Sequence, residues 1–169
     1  MSASRMLRWL WLSALVIGLD QASKLGMQDW LLAQPAGRVP VLPGLFEWVL
    51  AYNRGAAFSF LGDADGWQRW LFLALAGVVS VVLTLWLARL EAHERRLAAA
   101  LALVIGGAVG NLIDRVFHGH VIDFIQVYIG TWPFPVFNLA DSAISLGAAL
   151  LVLDSLLAGS SRHSATPER

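Results

Sequence analysis

Asp141 stands in an otherwise apolar stretch, with Asn138 before it and Ser142 and Ser145 after it. On a helix these four positions, at i, i+3, i+4 and i+7, share one stripe. Gly107, Gly110, Asn111 and Asp114 repeat the same spacing upstream. Two carboxylates held close in a partly desolvated site cannot both ionise easily, so they share a proton. The ionised one activates water while the protonated one donates to a scissile carbonyl, which hydrolyses a peptide bond without nucleophile or metal. Asp141 with a loop carboxylate, Asp123 or Asp114, makes such a pair. No Ser-His arrangement or zinc-protease motif competes with it, and the absence of Cys removes thiolate chemistry and disulfides.

The remaining polar residues have plainer readings. Asp20 and Lys24 are an i, i+4 pair with the acid first, the favourable order on a helix, and read as a neutralised pair that lets a charged span insert. Asp114 beside Arg115 reads the same way and positions Asn111 and the following loop. His118-Gly119-His120, near Asp114 and Asp123, has the residue types of a zinc site. The glycine makes that segment a loop of unfixed geometry, so no metal and no cofactor is assigned. Asp154 reads as a solvated helix end.

These residues need a membrane bundle to position them. The 169-residue chain is 57% apolar and only 14% charged, against about 25% charged in soluble domains. Its mean hydropathy is +0.63. The formal net charge of zero gives no basic footprint for nucleic acid. A span needs roughly 20 mostly apolar residues, and four are expected, at about 7–27, 70–88, 97–113 and 136–157. Within the first, the apolar run Trp9 to Leu19 imitates a cleavable leader, but Asp20 and Lys24 come next instead of a small-residue cleavage site, so the segment reads as a retained span. Residues 1–158 read as a single membrane-embedded domain and 159–169 as a disordered cytoplasmic tail.

Arg89, Arg95 and Arg96 crowd the short loop between spans two and three, which puts both termini in the cytoplasm. With that topology Asp20, Asn111, Asp114, Asn138 and Asp141 converge on one level, in the outer part of the bilayer. The inner halves of spans two, three and four carry almost nothing polar. A proton- or ion-coupled carrier needs polar groups reaching both sides, and an assembly scaffold needs no isolated carboxylates at one depth, so a hydrolase reads better than either. Outside the bilayer, Phe46, Trp48, Leu50 and Tyr52 alternate with their neighbours between Pro43-Gly44 and Asn53-Arg54-Gly55, a period-two strand signal. A small β-element is therefore expected within about 38–62. The loop from Asn53 to Phe60 is expected to close over substrate on a hinge at Gly55, with Phe58 and Phe60 as an apolar lid. The segment from Val121 to Phe137, aromatic and almost uncharged, is expected to dip into the membrane interface.

Five stretches together resemble the signal peptidase II family, the prolipoprotein signal peptidases of bacteria. They are Leu-Asp-Gln-Ala-Ser-Lys (19–24), Asn-Arg-Gly-Ala-Ala-Phe-Ser-Phe (53–60), Gly-Asn-Leu-Ile-Asp-Arg (110–115), Val-Ile-Asp-Phe (121–124) and Phe-Asn-Leu-Ala-Asp-Ser (137–142). The resemblance implies an all-α membrane protein of four transmembrane helices with a small extracytoplasmic β-element. It implies that Asp123 and Asp141 are the catalytic pair of an intramembrane aspartic endopeptidase. Asp20, Lys24, Asn53, Gly55, Asn111, Asp114, Arg115 and Asn138 are the supporting or substrate-binding residues. The implied substrates are diacylglyceryl-modified prolipoproteins, cut before the lipidated Cys. The implied location is the bacterial cytoplasmic (inner) membrane, in contact with membrane lipid, with the active site near the outer (periplasmic) leaflet. Inhibition by globomycin-type cyclic peptides is implied as well.

Overall fold

The structure, a computed structural model, describes residues 3–55 and 67–163. The expected lid residues Phe58 and Phe60 lie outside the described residues, as does the end of the tail, 164–169. In chain order the elements are α1 (Ala3–Leu32), β1 (Arg38–Leu42), β2 (Phe46–Asn53), α2 (Trp67–Arg89), α3 (Arg95–Phe117), β3 (Val121–Ile129), β4 (Trp132–Pro133) and α4 (Leu139–His163). The protein is mostly helical with one small antiparallel sheet. Among the described residues three stretches, Arg69–Arg89, Arg95–Phe117 and Leu139–Leu157, are long and apolar enough to cross a membrane. α1 is longer but carries Arg8, Asp20, Lys24 and Asp29.

α3 is the central helix, and α1, α2 and α4 all pack on it. Glycines make the close approaches possible, as small residues do where helices meet in membranes. A Cβ on Gly106 would lie 2.8 Å from Val16 Cβ of α1, and one on Gly107 would run into the Ala140 carbonyl of α4. At the end of the bundle near the α2–α3 loop the interior is mostly apolar, with Ser13 donating to the Ala102 carbonyl (2.7 Å). Leu87, Leu90, Ala98, Leu101 and Ile105 are buried there, with Trp9, Leu10 and Leu151 packed against them. Arg96 and Asp154 form an ion pair of 3.6 Å at the same end, so Asp154 has a partner as well as solvent.

The sheet has the order β1-β2-β3-β4 and covers the opposite end of the bundle. β1 and β2 form the hairpin expected from the alternating pattern, turning at Gly44 with φ 72°, a left-handed conformation that glycine takes without a Cβ clash. β2 then pairs with β3 in a register that sets Ala51 opposite Asp123 and Asn53 opposite Val121. The segment expected only to dip into the interface is thus mostly strand. Its period-two signal is missing because Val121, Ile122, Asp123 and Phe124 are all buried, and a strand covered on both faces reads as a continuous apolar run.

Helix boundaries differ from expectation at both ends of α4. Residues 136–138 are extended, since Phe137 exchanges backbone hydrogen bonds with Ile125 (3.0 and 2.9 Å), and the helix begins at Leu139. It continues to His163, past Gly159 where a disordered tail was expected.

Candidate active site

The first turn of α4 explains why Asp141 sits where it does. Asn138 is the residue before the helix, and its Oδ1 accepts the Asp141 backbone N–H at 2.9 Å. Asp141 Oδ2 returns the favour by accepting the Asn138 backbone N–H at 3.3 Å. This is a reciprocal cap of the kind that satisfies two otherwise orphaned donors at a helix start, and it puts a carboxylate at the positive end of the helix dipole. A third orphan donor, Ala140 N–H, is taken by Asp20 Oδ1 from α1 at 2.9 Å. Asn138 is therefore a cap and not a member of the helical stripe on which its spacing suggested it would lie.

The Asn138 side chain also reaches the sheet. Its Nδ2 donates to Asp123 Oδ1 at 2.7 Å, and it lies 3.3 Å from the Ile122 carbonyl oxygen. One fully buried amide thus joins the carboxylate on β3 to the helix start that carries Asp141. Asn53, across the sheet from Val121, is a second donor to Asp123, while its own Oδ1 accepts the Gly55 N–H at 3.1 Å. Burial first, and then the neighbouring Asp141 carboxylate, push Asp123 up to about 7 against the opposing effects of Asn53, Asn138 and the Lys24 ammonium.

Behind the pair lies a buried polar layer. Lys24 Nζ meets Asp20 Oδ2 at 2.7 Å and Asp114 Oδ2 at 3.0 Å, with all three side chains at most 1% exposed. It also donates to Asn111 Oδ1 at 2.9 Å. Asn111 Nδ2 in turn donates to Asp141 Oδ1 at 2.7 Å. Lys24 therefore serves two carboxylates, where the sequence paired it with Asp20 alone. Asp114 is further held by Gln21 Nε2 (2.8 Å) and the Ile122 backbone N–H (3.0 Å).

Asp114 does not pair with Arg115, because adjacent residues on a helix point about 100° apart. Arg115 instead donates to the carbonyls of Asn111 (3.3 Å) and Gly55 (3.2 Å), tying α3 to the end of β2. Two further residues of the layer carry no charge to mark them in the sequence. Gln21, next to Asp20, donates to Asp20, the Gly110 carbonyl and Asp114. Gln126 is buried on β3 and donates to the Phe134 carbonyl, fixing the chain that leads into α4.

A cavity of about 1230 Å³ opens in front of this layer, and Asp123, Asp141, Asn111, Arg115, Asn53 and Gly55 all line it. Asp20, Lys24 and Asp114 do not; they lie behind. The cavity continues past Ser142, Ile144 and Ser145 of α4, and Trp132 to Phe137 form its far wall. His120 packs edge-on against Tyr52 at 4.5 Å between ring centroids. Burial, then His118 and Arg54, hold it below the ordinary histidine range. Among the described residues no group of three or more His, Asp or Glu side chains is arranged to hold a metal ion.

A carboxylate pair bordering a cavity at one end of apolar helices is the arrangement that a membrane-embedded aspartic protease needs. Sequence comparison then narrows it. The family described as Signal peptidase (SPase) II matches residues 12–157, and the chain belongs to that family. It is 58% identical over 149 residues to the lipoprotein signal peptidase of Pseudomonas fluorescens (strain Pf0-1), covering 88% of this chain and 86% of that one. Against the lipoprotein signal peptidase of Pseudomonas aeruginosa (strain UCBPP-PA14) the identity is 57% over 149 residues, covering 88% and 87%. Two solved structures share the fold. A bacterial membrane enzyme determined by the in meso method at 2.3 Å resolution matches with a TM-score of 0.79 and 26% identity, covering 96% of this chain and 94% of that one. Another at 1.9 Å matches with a TM-score of 0.77 and 26% identity, covering 88% and 92%.

Proposed function

We propose that Asp123 and Asp141 are the aspartic pair with which this protein removes signal peptides from diacylglyceryl-modified prolipoproteins, cutting immediately before the lipidated Cys. The observation that carries this reading is that one buried amide, Asn138, is bonded to both Asp123 and Asp141, and both border the same cavity. Asp114, the other candidate partner, is committed to Lys24, Gln21 and the Ile122 N–H and does not border the cavity. Asp20, Lys24 and Asn138 hold the start of α4, Asn111 and Asn53 donate to the pair, and Arg115 anchors Gly55 at the rim.

The protein crosses the bacterial inner membrane four times. α1 supports this despite its charges: Leu7, Trp11, Leu15 and Leu19 form an exposed stripe, while Ser13, Asp20 and Lys24 are buried against the bundle. An apolar stripe outside and polar groups inside suit a helix in lipid. Both termini lie in the cytoplasm and the sheet on the periplasmic side, where a diacylated substrate anchored in the outer leaflet meets the cavity. A groove open to lipid there also admits a globomycin-type cyclic peptide.

The test is cleavage of a diacylated lipobox peptide by purified protein in detergent with a chelator present. Cleavage that persists with chelator and is lost in folded Asp123→Asn and in folded Asp141→Asn is the expected result. Wild-type turnover by either variant would overturn the reading.

A further inference from the structure

We propose that Lys24 and Asn111 divide the labour of the carboxylate pair, holding Asp141 as the ionised member that takes a proton from water and leaving Asp123 as the member that gives one. This rests on the reading of Asp123 and Asp141 as the catalytic pair. The argument begins with a group that only donates. An ammonium has three donors and no acceptor, so the oxygen of Asn111 must face Lys24 Nζ, 2.9 Å away. The Asn111 amide is then fixed, and its Nδ2 donors must face Asp141 Oδ1, 2.7 Å away. A second one-way donor, the Asp141 backbone N–H, fixes the Asn138 amide so that its Nδ2 faces Asp123. Neither amide is free to flip.

The two carboxylates are consequently unequal. Asp141 is one amide from the buried ammonium, and Asp123 is two, through Asn111 and then Asn138 (3.1 Å). Asp141 also lies in the first turn of α4, where the helix dipole favours negative charge, whereas Asp123 lies on a strand without such a field. The charged groups around the pair are Asp20 and Lys24 of α1, Asp114 and Arg115 of α3, and Arg54 after β2. Asp20 and Asp114 are each bonded to Lys24, and Arg115 is bonded to the Asn111 and Gly55 carbonyls. Asp123 itself is pushed up to about 7, which keeps it protonated at mildly acidic pH.

The step balances without any further reactant. Water adds to the scissile carbonyl carbon as Asp141 takes one of its protons. The carbonyl π pair moves to oxygen, which accepts the proton of Asp123. Asp141 then passes its proton to the amide nitrogen as the C–N bond breaks, and one hydroxyl of the diol returns a proton to Asp123 as the carbonyl reforms. Lys24 and Asn111 touch no reacting atom and are positioning residues.

Infrared difference spectra between pH 6 and pH 9, in an ester-free detergent, read the protonated carboxyl directly. Wild type should show a carboxylic-acid band at pH 6, and Asp123→Asn should lose it. A band that survives Asp123→Asn puts the resting proton on another carboxyl and overturns the assignment. Asn111→Leu, checked for folding by its melting temperature, should move the acidic limb of the kcat/KM profile up by about one pH unit, with a smaller change on the alkaline limb. A uniform loss at every pH would leave Asn111 a purely structural part and sink its positioning role. Failure of the underlying reading looks different, because Asp123→Asn or Asp141→Asn would then keep its turnover.

Discussion

The two ends of the helix bundle are built from the same helices and obey opposite rules. Near the α2–α3 loop, Leu87, Leu90, Ala98, Leu101 and Ile105 fill the interior, and the buried Ser13 beside them donates to the Ala102 carbonyl. Under the sheet, Asp20, Lys24, Asn111, Asp114, Asp123 and Asn138 are as deeply buried, and every one is bonded to another of the group or to the start of α4. The apolar end gains from any shape that fills space. The polar end works only when complete, because a partly satisfied network in a low dielectric leaves costly unpaired groups. On the proposed reading, stability and chemistry are thus separated along the axis of the bundle, and variants at the two ends should fail differently.

The largest contrast lies in activity. Asp123→Asn and Asp141→Asn should each lower kcat on a lipidated lipobox peptide by about 10²–10⁴-fold, and the double variant should be little worse than either single one. Additive losses would show that the two carboxylates do not act as a unit.

Packing at the polar end comes next. Gly107→Ala drives a methyl group into the Ala140 carbonyl and to 2.7 Å from Ile144 Cγ1, displacing the turn that carries Asp141. It should cost about 1–3 kcal/mol and lower kcat with it. Gly77→Ala on α2 meets nothing within 4 Å and should be neutral or stabilising by up to about 1 kcal/mol. Melting temperatures in detergent check both, and equal losses would erase the difference between the tight α3–α4 seam and the open face of α2.

Asp20→Asn sharpens the account of the buried layer. Removing the sole partner of a buried ammonium costs about 3–5 kcal/mol, but Asp114 stays 3.0 Å from Lys24. A smaller loss, about 1–3 kcal/mol for a hydrogen bond to a charged group, is expected in thermal or chemical denaturation. A loss at the higher figure would mean that Asp114 does not share the charge.

The pH dependence has a definite sign. Asp123 is raised to about 7 from about 3.9 in an unfolded chain, so the native state binds the proton more tightly. Its contribution to stability is complete below pH 4 and is lost as pH rises through 7. Asp123→Asn, which never ionises, should therefore melt a few degrees above wild type at pH 8 and lose that advantage by pH 4. A constant offset across the range would contradict the raised value. The smallest effect belongs to the apolar end: Asp154→Asn breaks only a 3.6 Å pair with the largely exposed Arg96, and turnover should stay within twofold of wild type.

Much of this was legible in the sequence because membrane burial makes charge conspicuous. Asp20, Asn111, Asp114 and Asp141 stand out in or beside apolar runs, and spacing together with the expected topology brought them to one level. The β1–β2 hairpin was readable because Phe46, Trp48, Leu50 and Tyr52 recur at every second position between two turn signals. β3 was not, since burial on both faces erased the alternation, and with it went the information that Asp123 sits on a strand opposite Ala51. Partner choice was also hidden. Adjacent Asp114 and Arg115 looked like a pair, yet each turns to a different element, and that Lys24 bonds Asp114 as well as Asp20 depends on how α1 packs against α3.

The reciprocal cap between Asn138 and Asp141 has a consequence for biogenesis. Asp141 comes from a helix, Asp123 from a sheet that lies against the opposite edge of the same layer, and the amide between them is oriented only once α4 has started and β3 has docked. The donors that orient the rest arrive from α1 and α3, which are made first. On the proposed reading, a chain entering the membrane therefore has no assembled carboxylate pair until its last helix is in place.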